Sequence, residues 1–538
     1  MDQPKTHTRK GFYRILFTMP NRSTDTLFLL IKSLEKSEKR NFKLYVKRNS
    51  GDEDLKIVQL FDALDKMNDY DEVLLLKKTK NLKKQQLSNI KAHLYRQILS
   101  SLRLIKEENN IDIQLHEQMD YARILYNKGL YLQSLRVLDK MKETARTYNQ
   151  VTYLLQVLFF EKKIEALHIT RSMQDRADRL TGEVDEVNKR LLIISKLSNL
   201  ALQLYSWYIK NGHARNEKDE KAITLFFEEH FPADAADAKG FYERLYKYQS
   251  YCWYAFIRQD FLMYYRYTQK WVELFEMEKF MIGVETAHYI KGMHNLISAH
   301  FDLQNYKKFN IVLDEFEKFS KSSLVEQNDN NRIQTFVYLH IAKLNKHFME
   351  GTFSEGLKIV PHIREKLDEY GLYLDRHRVL VFYYKIASLY FGSGDYEKAI
   401  DYLNKIINWK MDLRTDLQCY SRLLHLIAHY ELGNFELLEY LFKSVYRFMA
   451  KMQNLSVVEE EIFKFLRRSF RVSPRQLKQE FEALLNKLKA LENNRLETRA
   501  FSYLDIISWL ESKISKVPVQ DIIRQKFLNN SKRKADVE

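Results

Sequence analysis

Apolar residues along this chain recur at steps of three and four, the period that gathers side chains on one face of an α-helix. Leu87, Ile90, Leu94, Ile98 and Leu102 make one such stripe, and Leu477, Phe481, Leu484, Leu488 and Leu491 make another. Phe501, Leu504, Ile507, Leu510 and Ile514 make a third. Near the start, Leu27, Leu30, Ile31, Leu34, Phe42 and Tyr45 predict a helix from Asp25 to about Arg48. A break at Asn49-Ser50-Gly51-Asp52 separates it from a helix at about Leu55 to Lys66. With 14 Gly and 6 Pro in 538 residues, the chain is poor in residues that punctuate strands and loops, which average about 7% and 5%. Long helices joined by short turns follow.

A second pattern lies over the first. Six times an aromatic residue is followed by another five positions on: Tyr126/Tyr131, Phe256/Phe261, Phe301/Tyr306, Phe348/Phe353, Phe391/Tyr396 and Tyr430/Phe435. From Phe261 onward the copies are spaced by 39 to 47 residues. In the clearest one, Tyr383, Ile386, Ala387 and Tyr390 line a first helix, Gly394-Asp395-Tyr396 turns the chain, and Ala399, Leu403 and Ile406 line a second. Between Tyr131 and Phe261 the signature fades, and helices near 147–168 and 174–211, with a joint at Tyr208 and His213, fill the interval.

The unit around Phe391 resembles the tetratricopeptide repeat, which places a bulky residue, Leu, a small residue and Tyr on its first helix, then Ala and an aromatic on its second. Ala399 is small where two helices must approach closely. The resemblance implies an all-α chain: an α-solenoid of irregular helical hairpins over 111–455, an N-terminal helical bundle at 23–110 and C-terminal capping helices at 456–528. Residues 1–22 read as a flexible extension, with Met19 an alternative start, and 529–538 as a disordered basic tail. In the resembling family the first aromatic of each pair faces an inner groove that binds peptides. Tyr126, Phe256, Phe301, Phe348, Phe391 and Tyr430 are therefore candidate partner-binding residues, against the alternative that this column is turned into the seam between repeats. Of the Lys and Asn pattern by which such grooves hold a terminal carboxylate, only Asn345 matches.

Composition narrows the classes. At 45% hydrophobic and 29% charged, the chain can bury a large core. No window reaches the roughly 18 apolar residues of a membrane-spanning helix, and no signal segment is evident, so cytoplasmic residence is expected. Cys252 and Cys419 are too few for a disulfide framework or a cysteine zinc site and read as buried thiols. The net charge of +16 is uneven, with +9 in residues 1–110.

No constellation carries catalytic chemistry. His425 and His429 lie four apart, but Leu426 stands where a zinc protease needs its Glu. His300, His347 and His429 share one repeat position and read as core residues bonded to backbone carbonyls. Gly392-Ser393-Gly394 lacks the rest of a nucleotide-binding fingerprint, and Glu459-Glu460-Glu461 reads as a solvated face. The expectation is a non-enzymatic scaffold with no metal and no cofactor, binding a protein or peptide. The alternative is a regulator whose basic head holds nucleic acid through Lys83, Lys84 and Lys91.

Overall fold

The computed structural model describes residues 25–48, 54–79, 84–106, 110–168, 174–235, 238–371, 373–409, 415–451, 457–469, 474–492, 494–497 and 505–535. The 1–22 extension, Met19, the Asn49-Ser50-Gly51-Asp52 break, Lys83, Phe501 and Leu504 lie outside them. Among the described residues the chain is all helix and turn, with no strand, as the apolar period requires. It divides into two compact units, Met1–Met141 and Lys142–Glu538, the division falling inside the helix Tyr131–Thr147. The hairpin carrying Tyr126 thus groups with the head, about thirty residues beyond the 110/111 division read from the sequence.

In the first unit, the helix expected over Asp25–Arg48 is two, Thr26–Ser33 and Lys36–Arg48. The break is at Leu34, whose backbone is extended (φ −71°, ψ 136°). The Glu38 carboxylate accepts from the Glu35 N–H at 3.0 Å, which restarts the helix. Breaking there lets Leu34 turn inward beside Ile31 and Phe42. The Phe42 and Phe61 rings meet at 4.8 Å, and the Lys84–Lys106 helix lays Leu87, Leu94 and Ile98 against them, so the predicted stripe is the buried one.

The second unit is a succession of hairpins. Its first helices, Phe241–Ile257, Thr286–Asp302, Asp329–Glu350, Arg376–Ser393 and Thr415–Glu431, each return through a partner beginning at Phe261, Tyr306, Phe353, Tyr396 or Phe435. From Thr286 to Glu431, first helices pack on first helices, as stacking of repeats demands. The interval without a clear signature holds helices Val151–His168 and Gln174–Asn211, as expected, and the second ends at Gly212 (φ +73°).

All six aromatic pairs share one turn. The residue three past the first aromatic is left-handed at every copy: Gly129, Gln259, Gln304, Gly351, Gly394 and Gly433, with φ between 52° and 90°. In each, the next N–H reaches back to the carbonyl five residues earlier, as in Asp395 to Tyr390 at 2.9 Å and Asn434 to His429 at 3.1 Å, satisfying a helix-end carbonyl. Asp260, Asn305 and Asp395 then cap the return helix by accepting from Met263, Lys308 and Lys398 N–H. The pair brackets the turn, and its rings touch in four copies, at 5.3–6.0 Å.

Glycine is required twice over at Gly351. Besides its φ of +67°, a Cβ there would lie 2.5 Å from the Arg524 backbone nitrogen, so the C-terminal helix Val519–Ala535 rests directly on this turn. That helix also corrects the sequence reading, since it continues through residues 529–535 where a disordered tail was expected. Glu459 departs from the solvated-face reading as well: it is 1% exposed, while Glu461 pairs with Lys464 and Lys487, both at 2.9 Å. Both cysteines are buried, as expected.

Candidate functional site: an aromatic groove with a cationic floor

The first helices of the second unit turn one face toward a groove of about 2320 Å³. Helical period decides which residues form it. On Thr286–Asp302 they are Lys291, His294, Ser298 and Phe301; on Asp329–Glu350, Gln334, Tyr338, Ile341 and Phe348; on Arg376–Ser393, Arg378, Val381, Lys385, Ser388 and Phe391. Steps of three and four keep each set in line, and each line ends in the first aromatic of a pair. Val519, Ile523 and Phe527 of the C-terminal helix form part of the lining, and Phe527 meets the Tyr306 ring edge-on at 4.6 Å.

The candidate column therefore splits. Phe256, Phe301, Phe348 and Phe391 all line the groove, the first three half-buried and Phe391 only 5% exposed. Tyr430 does not join them: it is 8% exposed beneath Phe465, Phe481 and Trp509, each ring 6.2–6.5 Å away. Tyr126 belongs to the first unit, where its ring meets Tyr131 at 5.5 Å. The second members are also mixed, since Phe261, Tyr306 and Phe353 line the groove while Phe435 is 53% exposed.

Asn345 gains the partner that sequence spacing hid. Its side-chain oxygen accepts from the Lys385 ammonium at 2.6 Å, across from the next first helix. Lys385 also lies 5.3 Å from the Phe348 ring centre and 6.0 Å from that of Phe301. One cation thus joins two rings of the column, an arrangement worth about 0.5–2 kcal/mol per contact depending on desolvation.

One step along the groove is a second cationic group. Tyr338, 6% exposed, stacks on His294 with ring centres 4.0 Å apart and planes at 10°. Lys291 and Arg378 approach the same Tyr338 ring at 5.1 and 5.7 Å. Burial drives the His294 pKa well below the ordinary imidazole value, and the charges of Lys291, Arg378 and Lys385 push the same way, so this imidazole is neutral at pH 7. Burial also acts to raise the Tyr338 pKa, but Lys291 and Arg378 outweigh it and the phenol falls below 10.0. Asp375, itself exposed, pairs with Arg378 at 3.2 Å.

The candidate histidines lie outside this lining. Of the three shared histidines, His300 is buried against the Tyr265 ring at 5.1 Å, whereas His347 Nδ1 meets the Thr352 hydroxyl at 2.8 Å and His429 Nδ1 the Asn434 amide at 3.0 Å, both five residues on. These two brace the same turn the aromatic pair brackets. Among the described residues no three His, Cys, Asp or Glu side chains group to hold a metal ion, and no helix is long and apolar enough to cross a membrane. In the head, Lys91 turns inward to Asp25 and the Tyr70 hydroxyl, its ammonium 4.3 Å from the Tyr70 ring centre. Lys84 is exposed.

No family model, curated protein or solved structure gives a significant match to this chain. Lys291, Tyr338, Arg378 and Lys385 carry no signature in the sequence, where the repeat pattern marks only the turn. Stepping back from Phe301 by three, seven and ten residues would have found Ser298, His294 and Lys291, the face that leads to each marker.

Proposed function

We propose that this chain is a non-enzymatic scaffold that holds a protein or peptide partner in the groove of its second unit. One observation carries the reading: Phe256, Phe301, Phe348 and Phe391, from four successive first helices, line a single groove of about 2320 Å³, and three of them are half-buried rather than fully enclosed. Contiguous exposed aromatic surface is unfavourable in water unless a partner covers it. Aromatic side chains supply large contact area with few torsions to freeze, which is why they anchor interfaces. The resemblance of the hairpins to the tetratricopeptide repeat favours the same reading.

The test is affinity purification of the full chain from its native cells, with quantitative mass spectrometry, beside a Phe301→Ala/Phe348→Ala variant. A partner that co-purifies with the native chain and falls at least tenfold with the variant, while the variant still melts cooperatively, is the expected result. A partner set unchanged by the double substitution would remove the groove from the reading.

A further inference from the structure

We infer that the occupant of this groove is an acidic peptide segment, seated with a carboxylate or phosphate between Lys291 and Arg378 beside the Tyr338 ring and with apolar side chains on the aromatic walls. The inference rests on the groove reading above and adds the chemistry of the partner. It begins from charge placement. Three adjacent first helices contribute Lys291, Arg378 and Lys385 around Tyr338, His294 and Asn345, all at the groove surface or just beneath it. Against these three cations stands the one carboxylate of exposed Asp375, on Arg378 at 3.2 Å, and the excess positive charge on a partly desolvated floor attracts a further anion, the more strongly for the low dielectric. Neutral His294 beneath Tyr338 adds no further positive charge.

The other end of the groove supplies the second half of the argument. There Tyr205 and Trp253 meet at 4.9 Å, and Leu202 and Tyr205 are 66% and 42% exposed. The groove face of Phe241–Ile257 is Tyr246, Gln249, Trp253 and Phe256, with no charge. A nucleic acid strand would need cations along its whole track, because its phosphates repeat along the backbone. Elsewhere the lining intersperses Lys307, Lys308 and Lys526 with the carboxylates Asp302, Glu492 and Asp505, so no uninterrupted cationic track runs along it, and a cationic cluster followed by an aromatic stretch matches a peptide with acidic residues at one end and apolar ones at the other. Helix axes packed about 8–10 Å apart put Thr286–Asp302 and Arg376–Ser393, two packed steps removed, about 16–20 Å from each other. An extended segment covers that span with about five or six residues at roughly 3.3 Å each.

A phage-displayed library of random dodecapeptides, panned against the full chain, tests this. The expected selection is enriched in Asp and Glu adjoining Phe, Leu or Trp. One selected peptide, synthesised with a fluorophore, then serves in anisotropy titrations in four combinations: native chain or Lys291→Gln/Arg378→Gln, acidic peptide or its Glu→Gln counterpart. Each single change should weaken binding at least tenfold, and the two together should cost clearly less than their product, because they remove the same contact. A phosphoserine version of the peptide distinguishes phosphate from carboxylate by which binds tighter. Should the double variant melt below the assay temperature, Lys291→Gln and Arg378→Gln singly carry the same cycle. Selected peptides with no acidic bias, or strictly multiplicative losses, would overturn the inference and leave the groove reading standing. A library yielding no binders, with a single-stranded oligonucleotide bound instead, would overturn both.

Discussion

Phe348 and Tyr430 hold the same place in two copies of one turn, three residues before a left-handed glycine and five before a second aromatic. Phe348 is half-buried at the edge of a groove, with Lys385 5.3 Å from its ring centre. Tyr430 is 8% exposed under Phe465, Phe481 and Trp509. The turn is a property of the local sequence, whereas the fate of its first ring is decided by what lies across from it. At the C-terminal end the capping helices Val457–Ser469, Pro474–Leu491 and Ile506–Ser515 supply that cover. A ring that lines the groove in the middle of the succession becomes core at its end.

The largest effect on this contrast is expected from Trp509→Ala. The indole is 1% exposed and donates to the Glu431 carboxylate at 2.6 Å. Its removal leaves a cavity beside Tyr430 and takes one donor from the Glu431 carboxylate, which keeps Lys513 at 2.8 Å, at a cost of about 3–5 kcal/mol. Urea unfolding followed by far-ultraviolet circular dichroism measures it. If Tyr430 is core because of this cover, the loss appears in full; a change below about 1 kcal/mol would place Tyr430 with the groove residues after all.

Phe391→Ala comes next. Phe391 lines the groove but is 5% exposed, and its ring meets Tyr396 at 5.3 Å. Gly392 beside it carries no Cβ because one would lie 2.4 Å from the Phe353 ring, so this turn is packed from both sides. Truncation is expected to cost about 3 kcal/mol, nearer the behaviour of Tyr430 than of Phe348. The column would then grade from groove to core along its length rather than switch at a single point.

A pH series examines the covered end by different means. Burial first, then the neighbouring charges of His429 and Arg422, holds the His425 pKa down to about 4 from 6.5. Below pH 6.5 the unfolded chain takes up a proton at this position that the folded chain refuses. Stability contributed by the neutral imidazole is therefore fully present above pH 6.5 and lost as pH falls toward 4, a total on the order of 3 kcal/mol. His425→Gln should flatten the fall in melting temperature between pH 6.5 and 4.5 relative to the native chain. An unchanged slope would mean that His425 is already protonated in the folded state.

The all-α class, the hairpin boundaries and the turn were legible in the sequence because each depends on residues within a few positions of one another. The Leu87, Leu94 and Ile98 stripe is buried as its period required. What escaped was set by residues far apart in the chain. Lys91 looked like a free cation on a polar face, but Asp25 and Tyr70, sixty-six and twenty-one residues away, claim it. Asn345 looked isolated until Lys385 came to it from the next repeat, forty residues on. Tyr430 was indistinguishable from Phe348 because Trp509, seventy-nine residues later, marks nothing in the local pattern.

The smallest stability change is expected where the functional stake is highest. Phe348→Ala removes a ring that water already reaches in part, together with its contacts to Lys385 and to Phe353 at 5.7 Å. The exposed part of the ring gains nothing from folding, and the lost cation–π contact is worth about 0.5–1 kcal/mol at a site that water reaches in part. A total of about 1–2 kcal/mol is expected in urea unfolding, well below Phe391→Ala measured the same way. Equal losses for the two would make Phe348 a core residue and place the groove surface elsewhere. A small loss from Phe348→Ala, joined to a loss of partner binding in the Phe301→Ala/Phe348→Ala variant, is the pairing of results that only a ring serving a partner more than its own fold can give.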